Sequence, residues 1–152
     1  MPLSKLINSA LSEKVIGCAI AVHKALGPGL LEKFYEEALC LELEHCKLSY
    51  QRQVEISLSY RGKYIGHHRL DLLIGKKLIV ELKAIKKLED VHFATTLSYL
   101  KISRAEVALL LNFNAPTLTI RRFANSIFHL NAEVRKVESA EGLIDIIRKN
   151  EQ

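Results

Sequence analysis

Apolar positions along the chain change their spacing several times, and each change marks an element. Over residues 12–26, Val15, Cys18, Ala19, Val22 and Leu26 recur at three- and four-residue steps, the period of a helix that packs one face. Ser9 or Ser12 is suited to cap its start, and Gly27-Pro28-Gly29 ends it. A second helix is predicted over residues 30–45, with Leu31, Phe34, Ala38, Leu41 and Cys46 inward. The period then falls to two. Val54, Ile56, Leu58 and Tyr60 alternate with Gln53, Glu55, Ser57 and Ser59, which predicts a half-buried strand over residues 49–60. Arg61-Gly62-Lys63 turns the chain into a strand over residues 64–74, bent at Gly66. Gly75-Lys76-Lys77 turns it again into a strand over residues 78–84. Together these predict a three-stranded antiparallel meander.

Beyond it, residues 91–102 read as a helix capped by Asp90, with Val91, Ala94, Leu97, Ser98 and Ile102 on one side. The uninterrupted run Val107-Ala108-Leu109-Leu110-Leu111 predicts a central strand over residues 106–113, buried on both faces. A short strand over residues 118–123 carries Arg121 and Arg122. Residues 125–137 read as a short strand or irregular chain. Residues 139–149 read as a final helix, capped by Ser139 and docked by Leu143, Ile146 and Ile147. The order predicts an α/β (α+β) protein, a single domain over residues 1–152.

Three charges interrupt the apolar runs of the second hairpin: Asp71, Glu81 and Lys83. A buried charge without a partner is costly. With the turn centred on Lys76, Asp71 lies opposite Glu81. Asp71, Glu81 and Lys83 then share one face, and Leu70, Leu72, Val80 and Leu82 the other. Two carboxylates beside an ammonium suit a divalent-metal site; a cross-strand ion pair at a sheet edge is the alternative. Glu32 and Glu36 lie one turn apart on the second helix with Tyr35, a pattern that also describes a solvated acidic face.

Composition narrows the classes. Hydrophobic residues make up 49% and charged residues 26%, which predicts a folded chain rather than a disordered one. No apolar run approaches the roughly 18–20 residues of a membrane span, and no signal-peptide core stands at the N-terminus. The expectation is a cytoplasmic protein without a membrane partner. Cys18, Cys40 and Cys46 fit no zinc spacing, and Cys18 and Cys40 read as core residues. A formal charge of +5 is compatible with a polyanionic partner. Lys76, Lys77, Lys86, Lys87, Arg121 and Arg122 are candidate phosphate contacts, or solvated turns and edges. His67 and His68 alternate on a strand and so do not chelate one ion together.

Asp71 followed by Glu81-Leu82-Lys83, a helix and a buried strand resembles the PD-(D/E)xK nuclease-like superfamily. Gly29-Leu30-Leu31-Glu32-Lys33-Phe34-Tyr35 resembles the motif of the GxxExxY protein family. So do the segments 22–29, 81–84, 97–101 and 111–114. The resemblance covers a core of residues 11–123, leaving 124–152 as a C-terminal extension. It implies a restriction-endonuclease-like core: a central mixed sheet, including the meander, with helices on both faces. It implies a Mg²⁺- or Mn²⁺-dependent nuclease hydrolysing phosphodiester bonds. Asp71, Glu81, Glu32 and the Leu82 carbonyl would hold the metal, and Lys83 would orient the attacking water. Tyr35, His92, Thr95 and Tyr99 would flank the cleft. The implied partner is nucleic acid, DNA ahead of RNA, with a homodimer compatible. Relatives often carry Gln where Thr95 stands and an acidic residue where Ala21 stands. The alternative function is therefore a weak or inactive nuclease-fold module that binds nucleic acid or a protein.

Overall fold

The structure is a computed structural model and describes residues 8–125. The predictions for residues 126–137 and 139–149 lie outside the described residues. Two helices open the chain, α1 (Ser9–Leu26) and α2 (Glu32–His45). Three strands follow, β1 (Tyr50–Tyr60), β2 (Lys63–Ile74) and β3 (Leu78–Lys83). Helix α3 (Asp90–Ser103) then leads to β4 (Val107–Asn112) and β5 (Thr119–Ala124). The five strands form one mixed sheet in sequence order, antiparallel except for the β3–β4 pair. This α+β arrangement matches a restriction-endonuclease-like core.

Parallel neighbours need a crossover, and α3 supplies it between β3 and β4. The sheet therefore has a covered face on each side. Val15, Cys18, Ala19 and Val22 of α1 and Tyr35, Leu39, Cys40 and Leu43 of α2 pack on Leu72, Ile74, Leu78, Val80 and Leu82. On the other side Phe93, Leu97 and Leu100 of α3 pack on Leu70, Ile79, Ala108 and Leu110. Strand β4 lies between the two layers and is buried along its whole length, as its apolar run predicts.

The hairpin register is the expected one: Ile74 pairs with Leu78, Leu73 with Ile79 and Leu72 with Val80. Gly75 and Lys76 both hold φ of 59°, the left-handed pair a tight hairpin turn requires. The predicted faces need one correction. Leu72, Val80 and Leu82 share the α1/α2 side, but Leu70 packs on the α3 side. Alternation reverses at Gln53, which sits at φ 50° opposite Asp71, between the pairs Arg52↔Leu72 and Val54↔Leu70. A left-handed residue inside a strand re-aims the side chains that follow.

The inward face of α2 also differs from the expectation. Tyr35, Glu36, Leu39, Cys40 and Leu43 are buried, whereas Leu31 and Leu41 are 63% and 66% exposed. The buried set includes a glutamate and a tyrosine, so a count of apolar residues selected the wrong stripe. For the same reason α3 buries Phe93 and Thr96 while the predicted Val91 is exposed. Tyr60, expected on a half-buried face, is exposed as well.

The expected caps shift too. Asn8, not Ser9 or Ser12, precedes α1. Ser12 is buried and its Oγ accepts from Arg122 Nε at 3.3 Å. Helix α3 is capped by Glu89 rather than Asp90, in a reciprocal box with His92.

Candidate functional site

The β2–β3 ladder stops at Leu72 and Val80, and carboxylates take the place of backbone partners beyond it. The Asp71 N–H donates to Glu81 Oε1 at 3.1 Å, and the Leu82 N–H donates to Asp71 Oδ2 at 2.9 Å. The two acids are thereby fixed across the splayed end of the hairpin. The Lys83 carbonyl accepts from Phe113 N–H at 2.9 Å. Successive residues of a strand aim their polar groups to opposite edges, so the Leu82 carbonyl faces the Asp71 side.

Asn112 holds the end of this strand in place. Its buried side chain accepts from Ile85 N–H at 3.1 Å and donates to the Ile85 carbonyl at 2.9 Å. The peptide just past Lys83 is thus tied to the tip of β4.

Glu81 is buried, and burial together with the Asp71 charge pushes its carboxyl up to about 8. Asp71 is also raised, first by burial, with Leu82 N–H opposing and the Glu36 charge adding to the rise. Lys83 favours the charged form of both acids but does not offset their desolvation. Two adjacent carboxyls in this condition retain a proton or attract a cation.

Helix α2 brings Glu32 to the other side of the same opening. Its carboxyl is raised by partial burial and then by Asp71, and lowered by Lys83. What places Glu32 is a knot of residues at the start of the helix. Tyr35 is fully buried; its hydroxyl donates to the Gly27 carbonyl at 2.6 Å and accepts from Leu30 N–H at 3.1 Å. Its ring stacks on Phe113 at 4.7 Å. Gly29 N–H donates to Asn114 Oδ1 at 3.0 Å, and His23 Nε2 lies 2.8 Å from the Ala115 carbonyl. Tyr35 therefore stands in the core rather than on the cleft wall.

Glu36, which the spacing places with Glu32 on a solvated acidic face, departs from that expectation. It is buried, not part of a solvated face, and it receives Arg52 Nη2 and Gln53 Nε2 at 2.7 Å each. Arg52 also pairs with Glu37 at 2.7 Å. The network ties α2 to the strand position where alternation reverses. An Arg and a Gln on a strand that follows a glutamate-rich helix are the only signal the sequence offers for it.

On the α3 side, Tyr99 and His68 stack with centroids 3.9 Å apart, and Tyr99 Oη lies 3.2 Å from His68 Nδ1. Burial and then the Glu81 and Asp71 charges push the Tyr99 phenol up to about 12. Burial lowers His68, with Asp71 opposing. This pair flanks the acids. The other two expected flanks are turned inward to the helix: His92 Nδ1 accepts from Glu89 N–H at 2.8 Å, and Thr95 Oγ1 donates to the Val91 carbonyl at 2.8 Å. Ala21 lies on an exposed side of α1.

The residues fit a hard divalent cation in type: carboxylate and carbonyl oxygen, without thiolate. Among the described residues, no three His, Cys, Asp or Glu side chains are grouped closely enough to hold an ion by themselves.

A family model for the PD-(D/E)XK nuclease superfamily matches residues 9–123. The chain belongs to that superfamily. No curated protein matches the chain. Among solved structures, the crystal structure of SSO0001 is similar, with a TM-score of 0.52 and 18% identity over 91% of this chain and 73% of that one. At that identity the likeness concerns the fold.

Proposed function

We propose that this chain is a divalent-metal-dependent phosphodiesterase acting on nucleic acid, in the GxxExxY branch of its superfamily. The observation that carries the reading is the Asp71–Glu81 pair, two raised carboxyls at the split end of a hairpin with Lys83 two residues on. A cation with charge to spare offsets the cost of ionising both. Superfamily membership, with its usual use of divalent metal, supports the same assignment.

Asp71, Glu81 and the Leu82 carbonyl would hold the ion, with Glu32 approaching from α2. Bound there, Mg²⁺ or Mn²⁺ supplies Lewis-acid polarisation of a phosphate and a more acidic water. Lys83 is the neighbouring cation and places an N–H donor where a phosphoryl oxygen gathers charge. Tyr99 and His68 wall the opening and keep water from one side of it.

A second reading is a binding module with little or no turnover. It is favoured by Thr95, whose hydroxyl is spent on its own helix, and by carboxylates already engaged with backbone amides. A cleavage screen over single- and double-stranded DNA and RNA with Mg²⁺ or Mn²⁺ separates the two. Metal-dependent cleavage that disappears in Asp71→Asn and Lys83→Ala supports the first. Binding without cleavage, unchanged by either substitution, supports the second.

A further inference from the structure

Strands β1 and β2, of 11 and 12 residues, are about twice as long as the six-residue strands β3, β4 and β5. Strand β2 meets β3 only over residues 72–74, and α3 reaches it at His68 through Tyr99. None of residues 57–67 belongs to either core cluster. The end of the hairpin is thus an arm that contributes nothing to the core.

Its composition is unusual for a solvated turn. Tyr60, Tyr64 and Ile65 are 68%, 62% and 66% exposed. The register slips between Leu58 and Ser59, so Ser59 pairs with Tyr64, Tyr60 pairs with Lys63, and Ile65 is left as the extra residue. Neighbouring pairs point to opposite faces. The two tyrosines therefore stand on opposite faces of the ribbon, with Ile65 projecting at the bulge. Arg61 and Lys63 occupy the turn, and no Asp or Glu occurs between Glu55 and Asp71. Arg69 and His67 lie beside Glu55, at 3.1 and 4.0 Å, which leaves the net positive charge at the tip.

We propose that this arm binds nucleic acid with unpaired bases, Tyr60 and Tyr64 stacking on the bases while Arg61 and Lys63 contact phosphates. Exposed aromatic faces beside cations are the pattern of single-strand recognition. Separate aromatics on the two faces suit splayed bases better than a closed groove. Strand β2 runs from the arm, through the bulge at Ile65, to Asp71. Seven steps along the strand separate Tyr64 from Asp71, at most about 23 Å at roughly 3.3 Å per residue. The inference rests on the proposed nuclease reading for its partner class.

The test is fluorescence anisotropy in EDTA, with labelled single-stranded DNA and a blunt duplex of the same length. Tyr60→Ala and Tyr64→Ala are expected to weaken single-strand binding roughly 5- to 100-fold each. Tyr60→Phe and Tyr64→Phe retain it, since the stacking ring remains and Tyr64 loses only its 2.9 Å contact with His67. Arg61→Ala and Lys63→Ala each reduce the salt slope by about 0.7. Single-strand binding unchanged in both alanine variants overturns the arm and leaves the nuclease reading standing. Equal losses on blunt duplex overturn the unpaired-base assignment. A parent protein that binds neither nucleic acid in EDTA overturns the arm, while the metal-dependent cleavage screen decides the nuclease reading separately.

Discussion

Replacing Glu81 with Gln probes the acid pair through stability, without any substrate. Glu81 moves from an ordinary value of 4.5 to about 8 on folding. The folded protein then binds more protons than the unfolded chain across that interval, and stability falls as pH rises through it. The contribution is fully present below about pH 4.5 and is lost as pH passes about 8. Between about pH 5.5 and 8 the loss from this carboxyl is at most about 3 kcal/mol. For a chain of this size that corresponds to roughly 6–12 °C in Tm. Gln cannot ionise, so Glu81→Gln flattens this part of the profile and raises Tm at the alkaline end. A divalent cation at about 100 times its Kd restores about 2.7 kcal/mol to the parent protein at about pH 8. Calorimetry or circular-dichroism melting in EDTA and then in Mg²⁺ or Mn²⁺ measures each quantity. A parent profile that does not fall toward pH 8, or one equally steep in Glu81→Gln, would refute the argument that Glu81 is held protonated by burial beside Asp71.

Four further outcomes are expected. Lys83→Ala removes metal-dependent cleavage while leaving cation-induced stabilisation in place; cleavage at the parent rate would remove Lys83 from the chemistry. Tyr35→Phe leaves the Gly27 carbonyl and Leu30 N–H without their shared partner and lowers stability by about 1–3 kcal/mol in denaturant melts. Leu39→Ala costs about 2–5 kcal/mol, whereas Leu41→Ala, two residues away but exposed, costs no more than about 0.5 kcal/mol; equal losses would contradict the observed face of α2. Glu36→Ala leaves Arg52 with only Glu37 and Gln53 without its carboxylate, and it loosens the start of β1 in hydrogen exchange more than the α3 side.

Among the described residues, the sequence by itself determined the elements, the hairpin register and the central strand. Their causes are local: Gly27-Pro28-Gly29 stops a helix, Gly75-Lys76-Lys77 turns a hairpin, and an apolar run fills a strand buried on both faces. Register follows from turn length, so the sequence alone places Asp71 across from Glu81, just beyond the paired residues. The extra acid Glu32 was visible only through a motif, since one glutamate on a helix carries no orientation.

Tertiary structure decided which side each side chain took. Leu70 changes faces where Gln53, opposite Asp71 on the neighbouring strand, adopts a left-handed conformation that no periodicity announces. Helix α2 buries Tyr35 and Glu36 and exposes Leu31 and Leu41 because Gly27, Arg52 and Gln53 satisfy the polar groups and Phe113 stacks on the Tyr35 ring. Those partners lie up to 78 positions away, Phe113 from Tyr35. Hydrogen bonding to partners outside the helix can make a polar face the buried one, because a satisfied polar group costs little inside while an apolar one gains only by its area. The raised carboxyls follow from the same cause: sequence supplied the two acids, and only burial behind a splayed hairpin made them costly to ionise.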